Sequence, residues 1–319
     1  MSNNDLDDLL FVYFGTDDYH FLIRKNIELL RRLYPKSDVL VYDWGDKFGR
    51  PSRSSFPNDI EVINWSERIA DTMGLLDALG ETGLNELAKA YNSRERASFK
   101  RRINKFFLKR FPNSSASRSV LEQAMRYENL LLHKCYALGD CARRVGERRF
   151  FFLDADAYLV ERLDDLYEGD PDVIMPMLER ENQHWEQNNC HALNDGIIGF
   201  GADVKARTTF LDAWYKTLDS NIETLRVIAS LSRMVKIREA NSRVLDAWQL
   251  ATVDFDGIPV KIRTIPNHIY NSVLNHEYDG GDLDAIKVLH LSGVAQNQEL
   301  FERFIGIVED VLQQRGAQQ

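Results

Sequence analysis

Phe150-Phe151-Phe152-Leu153-Asp154-Ala155-Asp156-Ala157-Tyr158 lies near the middle of the chain and reads as a buried strand that stops at two carboxylates. Four apolar residues in a row suit a strand covered on both faces. Past its end Asp154 and Asp156 stand two apart, and such residues point to one side of a strand. Two carboxylates on one side repel each other unless a positive charge lies between them. Mg²⁺ or Mn²⁺ meets that need, because hard cations take oxygen ligands and leave positions open for phosphate oxygens. Open α/β sheets bind their ligands beyond the carboxyl ends of the strands, which is where this pair falls. The plainer alternative is that the two carboxylates cap a loop and stay solvated.

Working outward, residues 9–15 form another apolar run, ending at Gly15. Thr16-Asp17-Asp18 follows and is expected to open a helix with Thr or Asp as N-cap, its Phe21, Ile27 and Leu30 facing a sheet. Residues 39–43 and 60–64 give two further strands, so the chain opens as a wound α/β sheet. Residues 66–120 read as mainly helical and polar. Residues 121–145 form a helix with Leu121, Met125, Leu131, Leu132 and Tyr136 apolar. Downstream, strands are expected at 173–176, 197–200, 260–263 and 288–291, two or three helices over 205–250, and a closing helix over 298–315. There is no internal repeat and no Pro/Gly-rich linker. The expectation is one domain spanning 1–319, with helical insertions at about 67–120 and 205–245.

A net charge of −9 over 319 residues argues against general nucleic-acid binding. No stretch reaches the roughly 18 uncharged apolar residues that a membrane-spanning helix needs, and the polar start MSNNDLDDLL is not a secretory signal. Cys135, Cys141 and Cys190 make neither a disulfide framework nor a Cys-x-x-Cys zinc pair. Three reduced thiols in a cytoplasmic protein are expected.

Several segments, in order, resemble the retaining family 8 glycosyltransferases of the GT-A fold, the glycogenin-like and bacterial lipopolysaccharide type. They are Thr16-Asp17-Asp18-Tyr19 after the first strand, the helix carrying Lys134 that leads into Phe-Leu-Asp-Ala-Asp, and Leu163-Asp164-Asp165-Leu166. Further on come Leu193-Asn194-Asp195-Gly196-Ile197-Ile198, Leu245-Asp246, Ile265-Pro266 with Tyr270-Asn271, and Val288-Leu289-His290-Leu291-Ser292-Gly293. The resemblance spans about residues 9–294. It implies a GT-A-type α/β fold with a mixed, mostly parallel sheet flanked by helices. It also implies transfer of a hexose-type sugar, with retention, from a nucleoside-diphosphate sugar (UDP-sugar favoured) to a carbohydrate, lipid-linked or protein acceptor.

The same resemblance implies roles. Asp154, Asp156 and His290 would hold the Mn²⁺ or Mg²⁺. Thr16, Asp17, Asp18, Tyr19, Lys134, Asp154, Ala155, Gly196 and Gly293 would bind the nucleotide sugar, with Tyr19 stacking on the base. Asn194, Asp195, Asp246 and Gln249 would line the reacting sugar. The chain departs from the family pattern at Asp195, where a small residue is usual, at Ala247, where Gln is usual, and at Val294-Ala295-Gln296, where Lys-Pro-Trp is usual. Two rivals stand beside this reading. One is a haloacid-dehalogenase-type phosphatase with Asp154 as nucleophile and a lysine such as Lys236, Lys261 or Lys287 from a later loop. The other is a non-catalytic module that binds a sugar nucleotide or glycan.

Residues 94–110 carry eight basic residues and one acidic, a local charge of +7. Phe99, Ile103, Phe106, Phe107 and Arg110 recur at helical spacing. The expectation is a helix that packs its Phe stripe on the core and solvates its charges. The alternatives are a phosphate-bearing acceptor or the inner face of an anionic membrane, met by peripheral contact.

Overall fold

The computed structural model describes residues 9–46, 50–52, 56–68, 72–93, 99–177, 196–224, 250–274, 283–291, 294 and 297–317. The strands are β1 (Leu10–Gly15), β2 (Asp38–Asp43), β3 (Glu61–Asn64), β4 (Phe150–Leu153), β5 (Ala157–Leu159), β6 (Val173–Met177), β7 (Ile197–Phe200), β8 (Leu250–Phe255), β9 (Ile258–Pro266), β10 (Ser272–Leu274) and β11 (Val288–Leu291). The helices are α1 (His20–Leu33), α2 (Thr72–Ser93), α3 (Phe99–Arg110), α4 (Ser115–Arg144), α5 (Val204–Thr224), the single turn α6 (Asn267–Tyr270) and α7 (Gln298–Gly316).

Eight strands form one mixed sheet in the order β3-β2-β1-β4-β7-β6-β9-β8. The β3, β2, β1 and β4 strands are parallel, β7 is antiparallel to both its neighbours, and β6 is parallel to β9. A small second sheet, β10-β11-β5, stands beside it. The expected α/β class, a mixed sheet flanked by helices, is what forms. Every residue of β1 is buried, and the strand's period of two divides them between layers. Phe11 and Tyr13 join Leu22, Ile27, Phe304 and Val308 of α1 and α7, while Leu10, Val12 and Phe14 join Cys135, Leu138, Phe210 and Trp214 of α4 and α5. Phe21, expected to face the sheet, is instead 36% exposed, and Leu22 and Ile23 take the inward positions.

A third apolar cluster of Leu76, Leu87, Leu108, Val120, Leu121 and Met125 welds α2 and α3 to the first half of α4. Gly80, at φ 62°, breaks α2 where a side chain would be strained. Ser114 caps α4, its hydroxyl accepting from the Ser117 N–H. Leu250–Phe255 is a strand that begins at the last residue of the expected helical stretch and was itself not expected, and neither were the short β5 and β10.

Arg207 of α5 is fully buried, with its guanidinium 5.4 Å from the Phe150 ring centroid and its hydrogen bonds made to backbone. It donates to the carbonyls of Arg148 (2.9 Å), Gly201 (2.8 Å), Ala142 (2.5 Å) and Gly146. Three of these lie at the end of α4 and in the loop that enters β4, and the bonds to Ala142 and Gly201 are buried ones, so one side chain satisfies acceptors that would otherwise be left unpaired in the core. Among the described residues, no helix is long and apolar enough to cross a membrane.

Candidate functional site

β4 ends at Leu153, and Asp154-Ala155-Asp156 turns the chain into β5. Backbone hydrogen bonds set this turn: Ala157 N donates to Asp154 O (3.0 Å), Asp154 N to Gly196 O (2.9 Å) and Leu291 N to Asp156 O (2.8 Å). Asn26, buried on α1, accepts from the Tyr13 hydroxyl and donates to Ala157 O at 2.6 Å, fastening the turn to the core. The two carboxylates therefore converge through a tight turn and not through the alternation of a strand. The antiparallel β5–β11 pair places His290 opposite Ala157. As a result, the His290 Nε2 lies 3.0 Å from an Asp156 carboxylate oxygen.

One ligand atom from each of Asp154, Asp156 and His290 falls within 4.8 Å of the others. Two carboxylates and one imidazole suit Mn²⁺, and suit Mg²⁺ through the oxygens. The buried Asn271, just after α6, holds the other ring nitrogen of His290, with its side-chain oxygen 3.1 Å from Nδ1. An amide oxygen can only accept, so Nδ1 carries the proton and Nε2 is the nitrogen turned toward the carboxylates. Asn271 was quoted in the sequence without a role, and a lone Asn carries no signal of this one.

Lys134 is buried on α4 and its Nζ lies 2.9 Å from an Asp154 oxygen and 4.5 Å above the Phe152 ring. A solvent-facing lysine is thereby excluded. The adjacent His133 accepts from the Trp65 indole N–H at 3.1 Å, and burial pushes its pKa down to about 4, so it is neutral at ordinary pH. Of the later lysines, Lys236 lies outside the described residues. Lys287 is engaged by Asp165 at 3.0 Å and Glu161 at 3.1 Å.

His290 feels two opposed effects. Burial disfavours its charge, but the Asp156 carboxylate outweighs that and pushes the pKa up from 6.5 to about 9. In the metal-free protein the folded state thus holds this proton more tightly than the unfolded chain does. The pair contributes stability in full below about pH 6.5 and loses it as pH rises through about 9. We expect the melting temperature of the metal-free protein to fall more steeply over that window than that of His290→Gln. Parallel curves for the two proteins would refute the pairing.

The loop after the neighbouring strand β1 completes the same edge, since Tyr13 pairs with Leu153. Thr16 is buried, Asp17 half-buried, Asp18 exposed and Tyr19 37% exposed. Thr16 stands at the N-cap position of a short 3₁₀ turn, but no side-chain cap bond forms. His20, which the sequence reading missed, is 1% exposed and bridges Asp17 (3.5 Å) and Asp43 (3.2 Å). The signals were present: His20 follows Asp17 by one helical turn, and Asp43 ends a parallel strand. Burial alone would raise Asp43, but the nearby His20 and hydrogen bonds from Ser52 and the Gly45 N–H hold its carboxyl below the usual range. Gly45 sits at φ 77°, where a Cβ would collide with the Arg50 carbonyl oxygen. Asp17, His20 and Asp43 form a second group able to hold a cation.

Ala155 and Gly196 are buried at the turn and beside it. Asn194, Asp195, Asp246, Gln249 and Gly293 lie outside the described residues, as does Cys190.

No family model matches the sequence, and no curated protein matches it. Matches are found among solved structures. The galactosyltransferase LgtC, in complex with donor and acceptor sugar analogues, is 11% identical. That match covers 95% of this chain and 96% of LgtC at a TM-score of 0.43. LgtC and GlyE, the proteins of three such solved structures, are glycosyltransferases. An active-site mutant of LgtC matches at 10% identity over 92% of this chain and 96% of that one, with a TM-score of 0.41. GlyE, from Streptococcus pneumoniae TIGR4, matches at 11% identity over 98% of this chain and 64% of its own, with a TM-score of 0.39. At these values the likeness assigns no role to any residue of this chain.

Proposed function

We propose that this chain is a GT-A-type glycosyltransferase that takes a hexose-type sugar from a nucleoside-diphosphate sugar, a UDP-sugar by preference, with a divalent cation held by Asp154, Asp156 and His290. The observation that carries the reading is the convergence of those three residues at the carboxyl edge of the sheet, beside the loop from β1. Bound there, Mn²⁺ or Mg²⁺ supplies Lewis-acid charge that offsets the charge of a departing nucleoside diphosphate. The chain's own groups do the rest. Tyr19, exposed on the β1 loop, offers a face on which a base stacks. Asp17 and Asp18 accept from base or ribose donors. Lys134 adds fixed positive charge beside Asp154 in a water-poor setting, where charge acts strongly. Asn194, Asp195, Asp246 and Gln249 face the sugar, and Gly293 lets backbone close on the phosphates; these assignments and the retaining outcome follow the family resemblance.

We read residues 1–319 as one catalytic domain, since the main sheet draws its strands from Leu10 through to Pro266. The buried free thiols of Cys135 and Cys141 suit the reducing cytoplasm.

The test is a thermal-shift panel of nucleoside diphosphates, each with and without Mn²⁺. A ligand confined to the folded state stabilises it by about 2.7 kcal/mol at a hundredfold excess over Kd. The expected result is a Mn²⁺-dependent shift with one nucleotide, UDP first. No shift with any nucleotide, together with hydrolysis of simple phosphate esters, would replace this reading with the phosphatase one.

A further inference from the structure

The expected packing of the α3 stripe on the core fails at Ile103 and Phe106, while Phe107 is half-buried and the Phe99 side chain lies outside the described ones. Among the described side chains of the helix, Leu108 is the apolar one that is buried, in the cluster shared with α2 and α4. On the opposite side Ile103 is 41% exposed and Phe106 57%, and Phe111, one residue past the helix end, is 49% exposed. Helical geometry puts Ile103, Phe106 and Arg110 within one narrow outward stripe, with Arg102 beside it. The rings of Phe106, Phe107 and Phe111 gather with centroids 5.9–6.1 Å apart, so the apolar surface is one continuous patch. Its surround is cationic: α3 holds six basic residues and no acidic one. Among the described residues, Arg102, Lys109 and Arg110 are exposed and meet no carboxylate.

The position of the patch matters as much as its chemistry. From Arg144 to Cys135, α4 packs beside β4 in the core, and at Lys134 it has reached the carboxyl edge where Asp154 lies. The preceding 19 residues of α4, back to Ser115, carry on past that edge for about 28 Å. The α2–α3 unit is packed on this projecting part. The aromatic and basic face is therefore held out beyond the site-bearing edge of the sheet.

We infer that the outer face of α3, centred on Ile103, Phe106 and Phe111 and ringed by Arg102, Lys109 and Arg110, docks on an anionic lipid bilayer. Rings and an aliphatic side chain at the centre enter the boundary between headgroups and acyl chains, while the surrounding cations meet lipid phosphates. A chain of net charge −9 is repelled as a whole by such a surface, so a local cationic patch both draws it in and sets its orientation. The proposal does not depend on the glycosyl-transfer reading, and its test uses no activity.

The full chain is sedimented with vesicles of phosphatidylcholine alone and of phosphatidylcholine mixed with phosphatidylglycerol, at low and high salt. Binding is expected only with the mixed vesicles and is weakened by salt. Arg102→Glu, Lys109→Glu and Arg110→Glu combined should weaken it on the order of a hundredfold. Phe106→Ser with Phe111→Ser should weaken it by about tenfold or more, with the melting temperature unchanged because both residues are exposed. Equal sedimentation of wild type and variants would overturn the proposal. So would indifference to vesicles combined with charge-dependent binding of a single-stranded oligonucleotide, or with self-association lost in the Phe variant.

Discussion

Asp156→Ala is expected to abolish Mn²⁺ binding at the β4–β5 turn and to lower glycosyl transfer by roughly 10²–10³-fold, the scale for loss of one directed electrostatic contact at a reacting group. The fold should survive. The hydrogen bond that ties this residue to Leu291 uses the Asp156 backbone carbonyl, which alanine keeps. What disappears is the carboxylate 3.0 Å from His290, which makes two changes at once. The cation loses an oxygen ligand, and the histidine loses the partner that raises its pKa. Titration of His290 followed by NMR should therefore move down from about 9 in the variant, independently of any assay for turnover. Mn²⁺ binding is read by the loss of the free-ion electron-paramagnetic-resonance signal. Wild-type Mn²⁺ affinity in Asp156→Ala would shift the cation to the second group, Asp17, His20 and Asp43, and remove the proposed roles of Asp154 and His290 together.

The largest stability effect is expected at Arg207. Replacing it by Met keeps most of the volume but strips donors from four backbone carbonyls at the end of α4, the entry to β4 and the exit from β7. Each buried acceptor left unpaired costs about 1–3 kcal/mol, and the bonds to Gly201 O and Ala142 O are the buried ones. Local relaxation and entering water reduce the sum, so a loss of about 4 kcal/mol is expected. Arg207→Lys should recover roughly half, because an ammonium has three donors but no planar fork to serve carbonyls on several sides. Urea unfolding measures both, with the slope m unchanged if only stability is altered. A loss below about 1 kcal/mol for Arg207→Met would mean that water serves those carbonyls already.

The sheet was legible where burial is complete. Leu10–Gly15 and Phe150–Leu153 are apolar throughout because both faces are covered, so their limits show in the residue string itself. Asp154 and Asp156 were legible for the same reason, since polarity returns abruptly at the strand end. The means by which they converge was not, because the turn is set by hydrogen bonds to Gly196 and Leu291, far away in sequence. The Lys134 partnership was hidden as well. A lysine in a long amphipathic helix looks solvated unless the strand that the helix crosses is known. The β8 strand was missed because Leu250–Phe255 is half exposed and its alternation is short. The aromatic face of α3 misled in the opposite direction. Its spacing is that of a buried stripe, and only the neighbouring helices decide that Leu108 turns inward and Phe106 outward.

The pairing of β1 with β4 has a consequence for how the molecule is made. Leu10 lies against Phe150, 140 positions later, and His290 meets Asp156 across a further 134. During synthesis, the β1–β2 pair must therefore wait with one edge open until the helices between β3 and β4 have emerged. The three cation ligands come together only after β11 has left the ribosome. A nascent chain can thus hold two acidic side chains without a competent metal centre, and it gains that centre only once β11 has been made. Contacts between such distant residues form slowly, because loop-closure entropy must be overcome before they stabilise anything. Chains truncated before β11 should accumulate as species that retain much of the main sheet yet bind no cation at the turn.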